Sequence, residues 1–305
     1  MSDPQPVIRG SRTPPATKNM NVSFTIDWLS MSEKGTERHE FPLTPSYVGN
    51  ETFEQSRGRF GYLSARTWLC GAVALYAGCT PAMGAHYQLS GSTLRNLAAR
   101  GETWATILAW HTQQAHTCSR LDLACDVKGN STLIEILQQE LREGKNKGSA
   151  RTITEVKSIT GRGHTIYVGS RQSEMFCRVY DKAAEQGSTE PWVRIEVELK
   201  GRRANDEFLR LSRSNGLSVP EQTTAAVRHL LEIEHPDWQE IWQSRVALPE
   251  LAQVRSRETR DWLIRSCVPS LVRLIKENPQ DDVLGEFMNA VVERLHGSPV
   301  SPDSE

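Results

Sequence analysis

The chain has 305 residues, 38% of them hydrophobic and 24% charged, with a formal net charge of −1. That profile fits a globular protein with one large domain or about two smaller ones, and no run approaches the roughly 18–20 apolar residues needed to cross a bilayer. The first twenty residues, MSDPQPVIRGSRTPPATKNM, contain four prolines and no apolar core. They predict a disordered arm over 1–21 and no secretory signal, hence a cytoplasmic protein with no membrane association.

The next strong signal is Ser23–Leu29, a β-branched and aromatic run that predicts a strand. Residues 31–60 are polar and Gly-rich, and predict loop with some strand. A strand follows at 85–90, with Ser92 placed to cap the next helix. Residues 103–116 predict a helix, 119–127 a strand of clear period two, and Thr132 to about Arg142 a helix capped by Ser131. Strands are predicted near 151–159, 164–169, 175–180 and 192–199, with a short helix from Lys182 and another capped by Asn205. From about 221 the pattern is helical: 224–234, 238–245, 258–276 and 282–295, with a frayed end.

The six cysteines form no C-x-x-C pair and predict small buried hydrophobes rather than a zinc site or disulfide framework. Charge is unevenly spread. Residues 142–213 carry 15 basic and 10 acidic groups, whereas 214–305 carry 9 and 15. A local basic excess suits phosphate contacts.

Three of the strands place charge on one face. Arg120, Asp122 and Asp126 alternate with Leu121, Leu123 and Cys125. Arg178, Tyr180 and Lys182 alternate with Cys177 and Val179, and Arg194, Glu196, Glu198 and Lys200 alternate with Ile195, Val197 and Leu199. In one sheet, these faces would gather four carboxylates, Arg178 and Tyr180 on the side away from covering helices. Oxygen donors suit a hard cation, Mg²⁺ or Mn²⁺, and a cation beside a phenol is equipment for attacking a phosphodiester. The alternative reading of each strand alone is a solvated face of a half-exposed sheet.

The run Thr165-Ile166-Tyr167-Val168-Gly169-Ser170-Arg171-Gln172-Ser173, followed by Arg178-Val179-Tyr180-Asp181-Lys182, resembles the replication initiation factor family, Rep_trans. That group spans plasmid rolling-circle initiators, filamentous-phage replication proteins and conjugative-element relaxases. RLDLACD at 120–126, WVRIEVELK at 192–200 and Leu89-Ser90-Gly91 fit it too, so the resemblance covers roughly 22–215. It implies a tyrosine that cuts one strand at an origin in a bacterial host, leaving a 5′-phosphotyrosine and a free 3′-hydroxyl. Carried onto this chain, the nucleophile is Tyr180, with Tyr167 the second candidate. Arg178 and Lys182 steady the phosphate or lower the phenol pKa, and Asp122, Asp126, Glu196 and Glu198 are candidate ligands of Mg²⁺ or Mn²⁺. Arg171, Arg202 and Arg203 are candidate contacts to DNA backbone, and Trp28, Trp104, Trp192, Trp238 and Trp242 candidate platforms for unpaired bases or core residues. The implied partners are origin DNA, a host helicase and polymerase, and a second protomer where termination needs another tyrosine. A relaxase for conjugative transfer and a non-catalytic origin-binding protein remain alternatives.

The expected architecture is α+β: an antiparallel sheet of two similar halves, each ending in an acid-bearing strand, with helices on one face. The expected division is the arm at 1–21, a nicking domain at 22–215 and a helical region at 216–305.

Overall fold

The computed structural model describes residues 20–33, 42–159, 163–243 and 281–296, with short helical pieces at 268, 271–272 and 275–277. The N-terminal arm, Cys267, most of the helix expected at 258–276 and the frayed end lie outside the described residues.

Ten strands form one sheet: β1 (Asn21–Ser32), β2 (Phe53–Arg57), β3 (Tyr62–Trp68), β4 (Val73–Gly78), β5 (His86–Ser90), β6 (Thr117–Lys128), β7 (Ile153–Lys157), β8 (His164–Val168), β9 (Met175–Asp181) and β10 (Trp192–Lys200). Their order is β2-β3-β4-β5-β1-β6-β10-β9-β8-β7, and all neighbours pair antiparallel. The order reads the same from either end. In each half the first strand lies beside the fifth, and the intervening three form a meander. The two halves meet where β1 pairs β6.

This corrects the sequence expectation that both acid strands close a half. β6, the RLDLACD strand, opens the second half, and its counterpart is β1. The counterpart of β10 is β5. Both fifth strands run directly into a glycine that begins a helix, Gly91 in α1 (Gly91–Ala99) and Gly201 in α5 (Gly201–Arg213). Gly201 has φ +55°, a conformation that disfavours any side chain. β3 and β4 lie in residues for which the sequence reading made no assignment.

Between the halves lies α2 (Trp104–Gln113), started by a capping box of Thr103 and Thr106. α3 (Leu133–Arg142) follows β6, and α4 (Lys182–Gln186) follows β9, capped by the Asp181 side chain accepting from Ala184 N. Three expected caps differ. Thr132, not Ser131, stands at the start of α3, with no capping bond from its side chain. Ser90, not Ser92, caps α1 by accepting from Thr93 N. Asn205 lies inside α5, which begins four residues earlier, and its Oδ1 accepts from Cys118 N at 2.9 Å.

The apolar face is the core. Leu121, Leu123, Cys125 and Val127 of β6 and Ile195 and Val197 of β10 have no exposed surface. α5 and α6 (Val219–Leu230) pack across β6 and β10, and α6 also reaches β1. α7 (Pro236–Trp242) brings Trp238 and Trp242 to 0% and 2% exposure, and Trp242 meets Phe24 of β1 at a ring distance of 6.3 Å. These two tryptophans are core, not base platforms. Helices are not confined to this side, because residues of α1 and α4 line clefts that open on the polar face. The first compact unit runs to Leu248 and so takes in α6 and α7. A second unit, Pro249–Glu305, contains α8 (Val283–His296).

Among the described residues no helix is long and apolar enough to cross a membrane. Cys70, Cys118, Cys125 and Cys177 are buried free thiols, as expected, while Cys79 is exposed. Because Trp238 is wholly enclosed, Trp238→Ala should destabilise the first unit by about 3–5 kcal/mol, read as a lowered urea midpoint; an unchanged midpoint would detach α7 from the core.

Candidate active site

The register of the central strands decides what meets on the polar face. Glu198 lies opposite Asp122, Glu196 opposite Ala124 and Arg194 opposite Asp126 across β6 and β10. Glu196 also lies opposite Arg178, and Arg194 opposite Tyr180, across β10 and β9. The three charge-bearing strands are therefore adjacent, as the alternation required, and their charges form two arginine-centred networks.

The first network holds Asp122, Glu196 and Glu198. Arg120 grips Asp122 with two parallel bonds, Nε to Oδ1 at 2.9 Å and Nη2 to Oδ2 at 2.6 Å. Its Nη2 also meets Glu198 at 2.9 Å, and Lys200 meets the other Glu198 oxygen at 2.7 Å. Arg178 forms a close ion pair with Glu196 Oε1. Asp122 and Glu196 are each only 1% exposed. Burial pushes the Asp122 carboxyl up, to about 7; the Arg120 bonds oppose this, and the neighbouring Glu196 and Glu198 charges add to it.

The second network stands apart from the first. Arg194, 3% exposed, donates Nε and Nη2 to Asp126 at 2.7 and 2.8 Å and Nη1 to Asp27 at 2.6 Å. Trp192 Nε1 adds a bond of 2.7 Å to Asp126. Asp126 is thus fully engaged away from the other three acids. Asp27 was missed as a site residue, although Ser23, Thr25 and Asp27 alternate in the sequence. A register shift between Ile26 and Trp28 then changes which residues share the polar face.

Tyr180 sits between the networks. Its hydroxyl donates to Glu196 Oε2 at 3.1 Å, and Lys182 Nζ approaches it at 3.5 Å while bonding Glu185 at 2.6 Å. Burial, then the Glu196 charge, raises the phenol well above its ordinary value, and Arg194 and Arg178 offset this only in part. Arg178 thus lowers the phenol as expected, but burial outweighs it. A cleft of about 410 Å³ opens on this hydroxyl, lined by Asp27, Thr165, Tyr167, Arg178 and Lys182 among others.

Tyr167 pairs with Arg178 in the β8–β9 ladder and stacks on Phe176 at 5.8 Å, with the Arg171 guanidinium 4.7 Å from its ring centre. Its ring is packed rather than set against a carboxylate. Arg171 is exposed in the turn after β8, and its carbonyl accepts from Lys200 Nζ at 2.6 Å. Arg202 is exposed at the start of α5 and pairs with Asp206 at 3.5 Å. Arg203 is half-buried, and its charge is felt by Glu207 and His229. Trp28, Trp104 and Trp192 are half-buried.

For a divalent cation, the oxygen-only set Asp122, Glu196 and Glu198 fits in donor chemistry. In geometry the carboxylates are turned to Arg120 and Arg178. Among the described residues no three His, Cys, Asp or Glu stand in a metal-holding arrangement.

This is a ten-stranded antiparallel sheet bearing a half-buried tyrosine among paired arginines and carboxylates. Residues 116–287 match the replication initiation factor family (Rep_trans), and the chain belongs to that family. The Bacillus subtilis (strain 168) protein named "Putative DNA relaxase NicK" is 24% identical over 265 residues, covering 76% of this chain and 74% of that one. The fold is similar to that of the rolling circle replication initiator protein from Geobacillus stearothermophilus, with a TM-score of 0.60 and 19% identity over 75% of this chain and 93% of that chain.

Asp122 yields a pH dependence. Its carboxyl is raised on folding, so its contribution to stability is full below the unfolded value near 4 and is lost as pH rises through about 7. Asp122→Asn should flatten the decline in melting temperature between those limits; a decline of undiminished slope would place its origin elsewhere.

Proposed function

We propose that this protein nicks one DNA strand at a replication origin, with Tyr180 as nucleophile. The observation that supports this best is the Tyr180–Glu196 hydrogen bond inside an open cleft flanked by Arg178 and Lys182. A phenol with a raised pKa needs an acceptor for its proton as it attacks. Glu196 is that acceptor. Tyr180 Oη forms a bond to phosphorus, the phenol proton passes to Glu196, and the bond from phosphorus to the 3′-oxygen breaks. The products are a 5′-phosphotyrosine and a 3′-hydroxyl that takes its proton from water, leaving a primer end for a host polymerase.

Arg178 and Lys182 bracket the phenol and hold the scissile phosphate, compensating its growing charge. Arg171, exposed beside the Tyr167–Phe176 stack, contacts the backbone next to it. Arg202, at the exposed start of α5, is a second such contact. Arg203 is the weakest of the three because it faces Glu207 and His229. Asp122, Glu196 and Glu198 would hold Mg²⁺ or Mn²⁺, while Asp126 positions Arg194. When bound, such an ion supplies polarisation of the phosphoryl oxygens. The same chemistry serves a relaxase, and the similarity to the B. subtilis protein supports that second reading of the biological role.

Tyr180→Phe removes one oxygen and should leave origin binding intact while abolishing both nick and covalent adduct on a denaturing gel. Tyr167→Phe should keep at least partial cleavage. Activity in Tyr180→Phe with none in Tyr167→Phe would reassign the nucleophile, and indifference to both would leave an origin-binding protein.

Chelation should stop cleavage, and added Mg²⁺ or Mn²⁺ should restore it. The affinity for that ion should increase as pH rises through about 7, where Asp122 ionises. Full cleavage in excess chelator would remove the ion from the reaction.

A further inference from the structure

A second cleft, of about 700 Å³, adjoins the one that holds Tyr180 and shares Asp27 and Lys182 with it. The nicking chemistry makes no use of it. Its walls include Leu94 and Ala98 of α1, Trp104 of α2 and Trp192 of β10, and its polar residues include Asp27, Asp126 and Arg194. The two tryptophans are half-buried, and Lys128 and Arg194 stand 4.7 and 5.8 Å from the Trp192 ring centre.

The polar groups are not equivalent. Arg194 spends Nε, Nη1 and Nη2 on the two aspartates, and Asp126 receives three hydrogen bonds from Arg194 and Trp192. Among the described residues Asp27 takes one bond, on Oδ1, and its side chain is 19% exposed against 10% for Asp126. Asp27 is therefore a carboxylate held in position by a buried guanidinium, with acceptor capacity left over. The start of α1 lies close against it: a Cβ on Gly91 would stand 2.4 Å from Asp27 Oδ1.

A largely apolar, aromatic-walled cleft in which Asp27 is a fixed acceptor, with Glu102 also in its lining, matches a nucleobase taken out of its stack, which is read by stacking and by hydrogen bonds on its edge. We propose that this cleft receives one unstacked base next to the scissile phosphate and that Asp27 reads its amino group. Guanine presents two adjacent donors to a carboxylate, adenine and cytosine present an amino group, and thymine has none. The order of preference is guanine, then adenine and cytosine, then thymine. This rests on the nicking reading, since the shared Asp27 and Lys182 place the base beside Tyr180.

The test uses the full chain and fluorescein-labelled nonamers of dT carrying one central dG, dA, dC or dT, titrated by anisotropy. The dG nonamer should bind about tenfold more tightly than the all-dT nonamer. Asp27→Asn should cut that ratio to about twofold or less. Ala98→Trp fills the cleft without touching a buried charge and should cut it similarly. Equal affinity of the wild-type protein for all four nonamers overturns the proposal, as does a preference that survives Asp27→Asn. The wild-type comparison decides even if neither variant folds. Covalent adduct formation on origin DNA is scored in parallel. An adduct without base preference sinks the base cleft alone; base preference without an adduct sinks the nicking reading alone.

Discussion

The polar face depends on the pairing of buried carboxylates with arginines, one of them buried and two half-buried, across β1, β6, β10 and β9. Arg194, Asp122, Asp126 and Glu196 are between 1% and 7% exposed, deep enough that an unpaired charge would cost several kcal/mol. Each charge therefore fixes where its partner must stand. A slip of one residue between β6 and β10 would set Arg194 against Val127 or Cys125 instead of Asp126, so the ion pairs and the apolar alternation enforce the same register. Arg194 binds hardest, because one guanidinium holds acids from two strands, β1 and β6, and thereby ties the first half of the sheet to the second.

The scaffold is symmetric and its chemical load is not. Aligning the helix-starting glycines Gly91 and Gly201 sets His86 and Gln88 at the positions of Glu196 and Glu198. The pairing of β4 with β5 then sets Leu75 at the position of Arg178 and Ala77 at that of Tyr180. At these positions the first half thus has neither nucleophile nor carboxylates; there His86 meets Ser32 at 2.9 Å and Gln88 accepts from Arg59 at 2.5 Å. Its contributions to the site are Asp27, through Arg194, and the α1 wall of the neighbouring cleft. On the nicking reading, one half supplies the reacting groups, and the other supplies walls and an anchor.

The parts of this arrangement legible in the sequence were those governed by period two. The alternation in RLDLACD, RVYDK and RIEVELK put Asp122, Glu196 and Tyr180 on one face before any contact was known, and the adjacency of the strands made that face real. Two features were not legible. Strand order is set by long-range pairing, so the composition of RLDLACD and RIEVELK invited them to be matched as equivalents when they are direct neighbours. Electrostatic partners across strands were equally hidden. The clustering of acids suggested an open metal site, whereas Arg120, Arg178 and Arg194 already occupy it, and the distinct fate of Asp126 depends on a register that single-strand alternation does not contain. β3 and β4 went unassigned because the sequence reading passed from the loop ending near residue 60 to the strand at 85.

The raised phenol of Tyr180 looks at first like an obstacle to its proposed role, and it bears on how such a site would stay silent until loaded. Glu196 is shared: one oxygen pairs with Arg178 and the other accepts the Tyr180 proton. While the guanidinium holds Glu196, the phenol keeps its proton, as burial alone already favours. A phosphodiester entering beside Arg178 competes for the same guanidinium. Whatever share of Arg178 turns to phosphate is withdrawn from Glu196, which leaves that carboxylate to Tyr180 at the moment a phosphorus atom lies within reach of the phenol oxygen. On the nicking reading, proton removal is thus coupled to substrate arrival by one residue with two partners. The same buried pair that stabilises the empty sheet then keeps the nucleophile protonated when no DNA is there to cut.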